Sequence, residues 1–117
     1  MALPRAQRVR RTRDFAAVRQ HGASWTGRLL ILAVLPLKDE PQARFGFTVT
    51  KRVGNAVTRN KIRRRLATIA GTQHAMIISP HLIVTIPRQG AVNADFETLK
   101  AEWIKLARRA GLLPSSS

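Results

Sequence analysis

The sequence predicts an α+β fold in a single domain, and three observations carry that prediction. Apolar runs at residues 29–35 and 81–87 are of strand length and bounded by Gly or Pro, and residues 44–50 alternate strictly between apolar and small or polar side chains. Phe96, Leu99, Trp103 and Leu106 instead recur at spacings of three and four, the period of a helix. A chain of 117 residues, 44% of them hydrophobic, can bury roughly two-thirds of its unfolded surface around one core. The expected element order is α-β-(β)-β-α-β-α.

In order, residues 1–11 form a basic, proline-containing lead-in expected to be loosely ordered. Thr12 is suited to cap a short helix through Gln20, with Phe15 and Val18 inward and Gly22 suited to a left-handed C-terminal residue. Residues 29–35 read as a buried strand, with Trp25 in a short strand flanking it. Residues 38–42 hold two acids and a proline and read as an exposed turn joining the strands on either side of it into a hairpin. The alternation that follows puts Phe45, Phe47 and Val49 on one face and Gly46, Thr48 and Thr50 on the other. After a turn at Val53, Gly54 and Asn55, Thr58 is suited to cap a helix that continues to Ala70, with Gly71 as its stop. Residues 72–80 connect to the strand 81–87, which its proline ends. Strand, helix and strand in succession predict a parallel pair, by default with a right-handed crossover. The last helix has Asp95 and Glu97 early, Arg108 and Arg109 late, and Gly111 then Pro114 beyond it; residues 112–117 read as a tail.

Charge narrows the function. Twenty-one basic and 6 acidic residues give a net charge of +15, which destabilises a compact fold unless a polyanion offsets it. The charge concentrates in the run Lys51 to Leu66, KRVGNAVTRNKIRRRL, which has seven cations and no acid. On a helix Ile62, Leu66 and Ile69 fall on one apolar stripe, and the basic side chains cover the other faces. A merely solvated helix interleaves Glu with its Lys and Arg, and this one does not. Nucleic acid or an anionic membrane are the candidate partners. No apolar run approaches the ~20 residues of a membrane span, and the basic N-terminus is not followed by a signal-peptide pattern. With no cysteine either, the expected compartment is the cytoplasm, with no membrane partner.

Catalytic chemistry is not legible in the chain itself. No acid lies between Glu40 and Asp95, so the centre lacks the clustered carboxylates of a two-metal nuclease. His21, His74 and His81 lack metal-pair spacing, Ser24 and Ser79 lack a nucleophile-elbow context, and Gly54 is not followed by the Gly-Lys-Ser/Thr of a phosphate-binding loop. No catalytic residue, metal ligand or organic cofactor is expected. A binder is, with each neutralised phosphate adding roughly 0.7 to 0.9 to the slope of log K against log salt.

The stretch V-G-N-A-V-T-R-N-K-I-R-R-R-L, Val53 to Leu66, resembles the signature of the bacterial ribonuclease P protein subunit: Gly-Asn-Ala, an Arg-Asn-Arg/Lys core matched by Arg59, Asn60 and Lys61, then a basic, apolar-striped helix. The resemblance extends to R-T-R-D-F in the first helix, H-G before the first strand, the alternating strand before K-R-V-G-N, and Arg88 after the last strand. It implies an α+β fold like the second domain of ribosomal protein S5, a sandwich of a small mixed sheet and helices with a left-handed βαβ crossover, against the default handedness. It further implies an accessory subunit of a ribonucleoprotein endoribonuclease, with the catalytic groups in the RNA and Mg2+ acting in the RNA complex. The implied partners are that catalytic RNA and precursor tRNA, and no oligomer is required.

By the same resemblance Arg52, Gly54, Asn55, Ala56, Arg59, Asn60, Lys61, Arg63, Arg64 and Arg65 form the surface for the catalytic RNA. A cleft between the sheet and the first helix takes the single-stranded 5′ leader of the precursor, and Arg11, Arg13, Phe15, Phe47, Thr48, Val49, Lys51 and Arg88 correspond to it. Phe15 and Phe47 are open to two readings, stacking on a leader base or packing on the sheet. Arg19 stands where the family often has an aromatic residue, Ala33 where it can have tyrosine, and Ala67 where its basic run usually continues. The competing readings are a general structured-RNA-binding or ribosome-associated protein without a processing role, and a protein-only nuclease that would cut without RNA.

Overall fold

The computed structural model describes residues 3–38, 40–77 and 79–114, so Met1 and Ala2 of the expected lead-in, Asp39 of the expected turn, Ile78 of the connection and Ser115 to Ser117 of the expected tail lie outside the described residues. The elements are α1 (Thr12–His21), β1 (Ala23–Thr26), β2 (Leu30–Pro36), β3 (Arg44–Phe47), α2 (Ala56–Gln73), β4 (His81–Pro87) and α3 (Phe96–Arg109). The sheet order is β1-β2-β4-β3, antiparallel except for the β3/β4 pair, so the hairpin expected across residues 38–42 does not form: β4 lies between β2 and β3 and takes the backbone partners of both. Leu30, Leu32 and Val34 of β2, Phe45 of β3 and Ile83 of β4 share one face with α2 and α3. Val84 and Leu82 of β4 meet α1 on the other, through Val18 and Phe15.

Three side chains hold α2 to the sheet as the sequence period requires: Ile62, Leu66 and Ile69 are all buried. Its cap is Asn55 rather than Thr58; the Asn55 side chain accepts from the Thr58 N–H at 2.9 Å, satisfying one of the free donors of the first turn. Gly71 does not stop the helix, which runs on to Gln73 before a 3-10 turn at His74–Met76. In α1, Arg11 rather than Thr12 holds the cap position, and Gly22 is extended at φ −79°.

The crossover from β3 through α2 to β4 is left-handed, and residue chirality shows why. Phe45 turns its ring toward α2 and α3, with ring centroids 5.8 Å from His74 and 6.1 Å from Trp103. Its carbonyl accepts from the Val9 N–H at 2.9 Å, on the edge away from β4. Viewed from the side-chain side with the strand running upward, an L-residue points its backbone polar groups to the right, which leaves β4 on the left. Passing in front of the sheet through α2, the chain therefore winds against the statistical default.

Near both ends, described residues pack more closely than their composition suggests. Arg8 pairs in parallel with Phe45, so the lead-in supplies partners to the free edge of β3, and Leu3 and Val9 are buried. At the other end Gly111 adopts φ +79°, the Leu112 N–H reaches the Ala107 carbonyl at 2.9 Å, and Leu112 and Leu113 join the core. Among the described residues, Leu3 and Val9 of the lead-in and Leu112 and Leu113 of the expected tail are thus packed into the fold.

One carboxylate locks α3 to the β1–β2 turn. Glu102 Oε2 accepts from the backbone N–H groups of Leu29 at 2.7 Å and Leu30 at 2.6 Å. Glu102→Ala strands both donors in a half-buried turn and is expected to cost about 2 to 4 kcal/mol. The check is a lower urea midpoint with an unchanged m-value.

Candidate nucleic-acid interface

Helix α2 begins at a bend that only glycine accepts comfortably. Gly54 has φ +154°, and a Cβ there would lie 3.0 Å from the Thr58 methyl group. Ahead of it, Lys51–Val53 form a 3-10 turn that buries Val53 and leaves Lys51 and Arg52 exposed. From this start Asn55, Ala56, Asn60, Lys61 and Arg64 are exposed, while Arg59 and Arg63 are half-buried. Val57 is 77% exposed in the same turn, an apolar side chain left in the open. Arg63 Nη1 donates to Asn60 Oδ1 at 2.8 Å, which stiffens both side chains on the surface. Among the described residues the only salt bridge is Arg44 with Glu40, away from α2.

Arg65 is placed differently from its neighbours. It is half-buried and donates from Nη1 to the Ala94 carbonyl at 3.3 Å, beside the start of α3. There the hydroxyl and N–H of Thr98 hold the Asp95 carboxyl below the usual carboxylate range, with Arg65 adding to the effect. The stabilisation this gives the α3 cap is present above the ordinary carboxylate range and is lost as pH falls through the lowered value. The resemblance set Arg65 on the RNA surface; in the fold it joins α2 to α3.

The leader set divides across the sheet. On the α1 face a cleft of about 270 Å³ is lined by Phe15, Arg19, Ala33 and Thr48 over Val84 and Ile86. Phe15 lies against Gly46, where a Cβ would come within 2.7 Å of its ring, so packing holds the ring while leaving it half-buried. Arg19 and Ala33 enter this cleft, so the two departures from the family pattern change its own walls. The cleft shares Ile31 and Ile86 with a basic recess of about 510 Å³, where Arg28, Arg52 and Arg88 surround Thr50. Arg88 Nη1 is steadied by the Gly27 carbonyl at 2.9 Å.

Lys51 is exposed between Thr50 and Arg52 of the recess without lining it, and four further members of the set are elsewhere. Phe47 faces α2, on the side of the sheet opposite Phe15, and Val49 is buried in the core, where no ligand reaches it. Arg11 at the cap of α1 and Arg13 in its first turn are exposed without lining the cleft. Arg28 was missed because it stands alone in its stretch of sequence; only the β2/β4 pairing, which sets Leu30 opposite Pro87, brings it to Arg88. Arg8 was missed for a like reason, since its place depends on the bridge to Phe45.

Two cationic surfaces, one helical and one at the mouth of a cleft, together with an exposed apolar side chain, define a protein built to hold an extended polyanion such as RNA. Among the described residues, no group of three His, Asp or Glu is placed to hold a metal ion. The sequence profile described as Ribonuclease P matches residues 3–111, and the chain belongs to that family. It is 38% identical over 108 residues to the ribonuclease P protein component of Acidothermus cellulolyticus, covering 92% of this chain and 90% of that one. Against the component of Syntrophomonas wolfei it is 32% identical over 110 residues, covering 94% and 92%. A solved structure of a Staphylococcus aureus RNase P protein mutant superposes with a TM-score of 0.86 at 26% identity, covering 92% of this chain and 91% of that one. No described helix is long and apolar enough to cross a membrane.

Proposed function

We propose that the chain is the protein subunit of a bacterial ribonuclease P, which binds the catalytic RNA and the 5′ leader of precursor tRNA and promotes endonucleolytic 5′ maturation. The observation that carries this reading is the division of positive charge between two separate surfaces. The outer face of α2, with Arg59, Asn60, Lys61, Arg63 and Arg64 following the Gly54–Asn55–Ala56 turn, suits the backbone of a folded RNA: its cations lack acidic partners among the described residues, and Gly54 and Ala56 permit close approach. The α1 cleft and the Arg28, Arg52 and Arg88 recess form a continuous apolar-to-basic track, with Lys51 exposed beside it. That track suits a single strand, with a base over Phe15 and phosphates on the arginines.

The chain's contribution is positional. Holding the leader on one face and the catalytic RNA on another fixes the scissile bond relative to the RNA's reactive centre and lowers the electrostatic cost of bringing two polyanions together. Mg2+ supplies the hydrolytic chemistry in the complex. No group of three His, Asp or Glu gathers among the described residues, and RNA phosphates would be the main ligands of the ion. The compartment of this reading is the bacterial cytoplasm.

Reconstitution tests it. Added to the catalytic RNA and a precursor tRNA at near-physiological Mg2+, the protein is expected to stimulate 5′ cleavage, and more strongly for a precursor that has a leader several nucleotides long. No stimulation overturns the reading in favour of a general RNA binder. Mg2+-dependent cutting by the protein without RNA overturns it in favour of a protein nuclease.

A further inference from the structure

A third cavity joins Asn60, Arg63 and Arg64 of the catalytic-RNA set to Phe47, which the resemblance gave to the leader. It lies between the N-terminal segment and α2, encloses about 460 Å³ and has Leu3, Phe47 and Ala67 as an apolar floor. Its rim holds Arg8 from the lead-in, and Arg63, Arg64 and Asn60 from α2. We propose that this groove is a slot for one unpaired base of the catalytic RNA, whose ring lies against Phe47 while its flanking phosphates meet Arg8 and Arg64. The inference rests on the ribonuclease P reading and adds a contact to it.

Several features select a nucleotide over other occupants. A purely apolar groove would suit an aliphatic peptide, but this one is rimmed by three guanidinium groups from two segments of chain, with no carboxylate among its lining residues. An aromatic floor beneath cationic edges matches a flat base joined to anionic phosphates. The Asn60 side chain is held by Arg63, whose Nη1 donates to its Oδ1 at 2.8 Å, so the Asn60 amide N–H groups remain as donors toward a base edge. The groove opens among the α2 residues already facing RNA and on the opposite side of the sheet from Phe15, which assigns its occupant to the catalytic RNA rather than to the leader. Ala67 matters because a larger residue there would fill the floor.

That position separates a slot from a generic positive surface. Affinity for the transcribed catalytic RNA, without precursor, is measured across salt concentrations for the wild type, Phe47→Leu and Ala67→Arg, with each variant's fold checked by circular dichroism. Phe47→Leu keeps the apolar volume and loses the ring; it is expected to bind roughly 5- to 150-fold more weakly with an unchanged salt slope. Ala67→Arg is expected to bind several-fold more weakly although it adds a positive charge. Chemical probing of the RNA should then show one unpaired nucleotide protected by the wild type and reactive with either variant. Tighter binding by Ala67→Arg with a steeper salt slope overturns the slot, as does affinity within twofold of wild type for both variants. Either result leaves the subunit assignment standing, whereas failure of the wild type to bind the catalytic RNA or stimulate cleavage removes that assignment itself.

Discussion

Replacing Arg59, Lys61 and Arg64 together by alanine is expected to weaken binding to the catalytic RNA about a hundredfold at ~0.15 M salt and to lower the slope of log K against log salt by about 2 to 3. The magnitude follows from counterion release, each lost phosphate contact removing roughly 0.7 to 0.9 from the slope. The three side chains have no acidic partner among the described residues, so their removal breaks no ion pair within the protein. Lys61 and Arg64 are exposed, while the half-buried Arg59 contributes some stem packing. Against that small loss stands relief of repulsion in a chain of net charge +15. Thermal stability without RNA is therefore expected to change little, even as RNA affinity collapses. A parallel loss of both would mean that these side chains support the fold; an unchanged salt slope would mean that they do not meet phosphate. Precursor affinity of the assembled complex should fall far less, because the leader track lies on the other face of the sheet.

Most of the fold was legible because its signals are local. The stripe of Ile62, Leu66 and Ile69 needed only the helical period, and the last helix announced itself through Leu99, Trp103 and Leu106, all buried as their spacing required. What depended on partners distant in sequence was not legible. The lead-in looks like a basic tail until the free edge of β3 is known to need it, and Leu112 and Leu113 look like the start of a tail until α3 returns them to the core. The interface shows the same limit. Alternation correctly put Phe45, Phe47 and Val49 on one face, but which face looks at α1 depends on the sheet, and it is the face of Gly46. Phe15 and Phe47 could therefore be grouped by resemblance and yet lie on opposite sides. Arg65 could not be told from Arg64 by charge; only the approach of α3, through Ala94, separates them.

Trp103 is where the core is most exposed to damage, and the expected loss can be partitioned by a double-mutant cycle. The side chain is fully buried, tilted at 54° against Phe45, and its Nε1–H donates to Thr85 Oγ1 at 3.0 Å. Thr85 is the only polar side chain among the buried described residues and has no solvent to replace that bond. Trp103→Ala opens a cavity next to Phe45 and is expected to cost about 3 to 5 kcal/mol, a large share of the roughly 5 to 15 kcal/mol that folds such a domain. Thr85→Val leaves the indole N–H buried and unpaired at about 1 to 3 kcal/mol, and Trp103→Phe leaves the threonine hydroxyl in the same position. Combining Trp103→Phe with Thr85→Val removes both polar atoms, so the pair should cost less than the sum of the single changes by about 1 kcal/mol or more, read from urea unfolding. Strict additivity would show that the hydrogen bond contributes nothing to stability. Binding connects this core to the proposed function: at a catalytic-RNA concentration 100 times the dissociation constant, mass action restores about 2.7 kcal/mol to any variant that retains the α2 surface. Trp103→Ala is thus expected to melt far below the wild type alone and to recover much of that difference with the RNA, whereas the triple change on α2 should gain almost nothing from it.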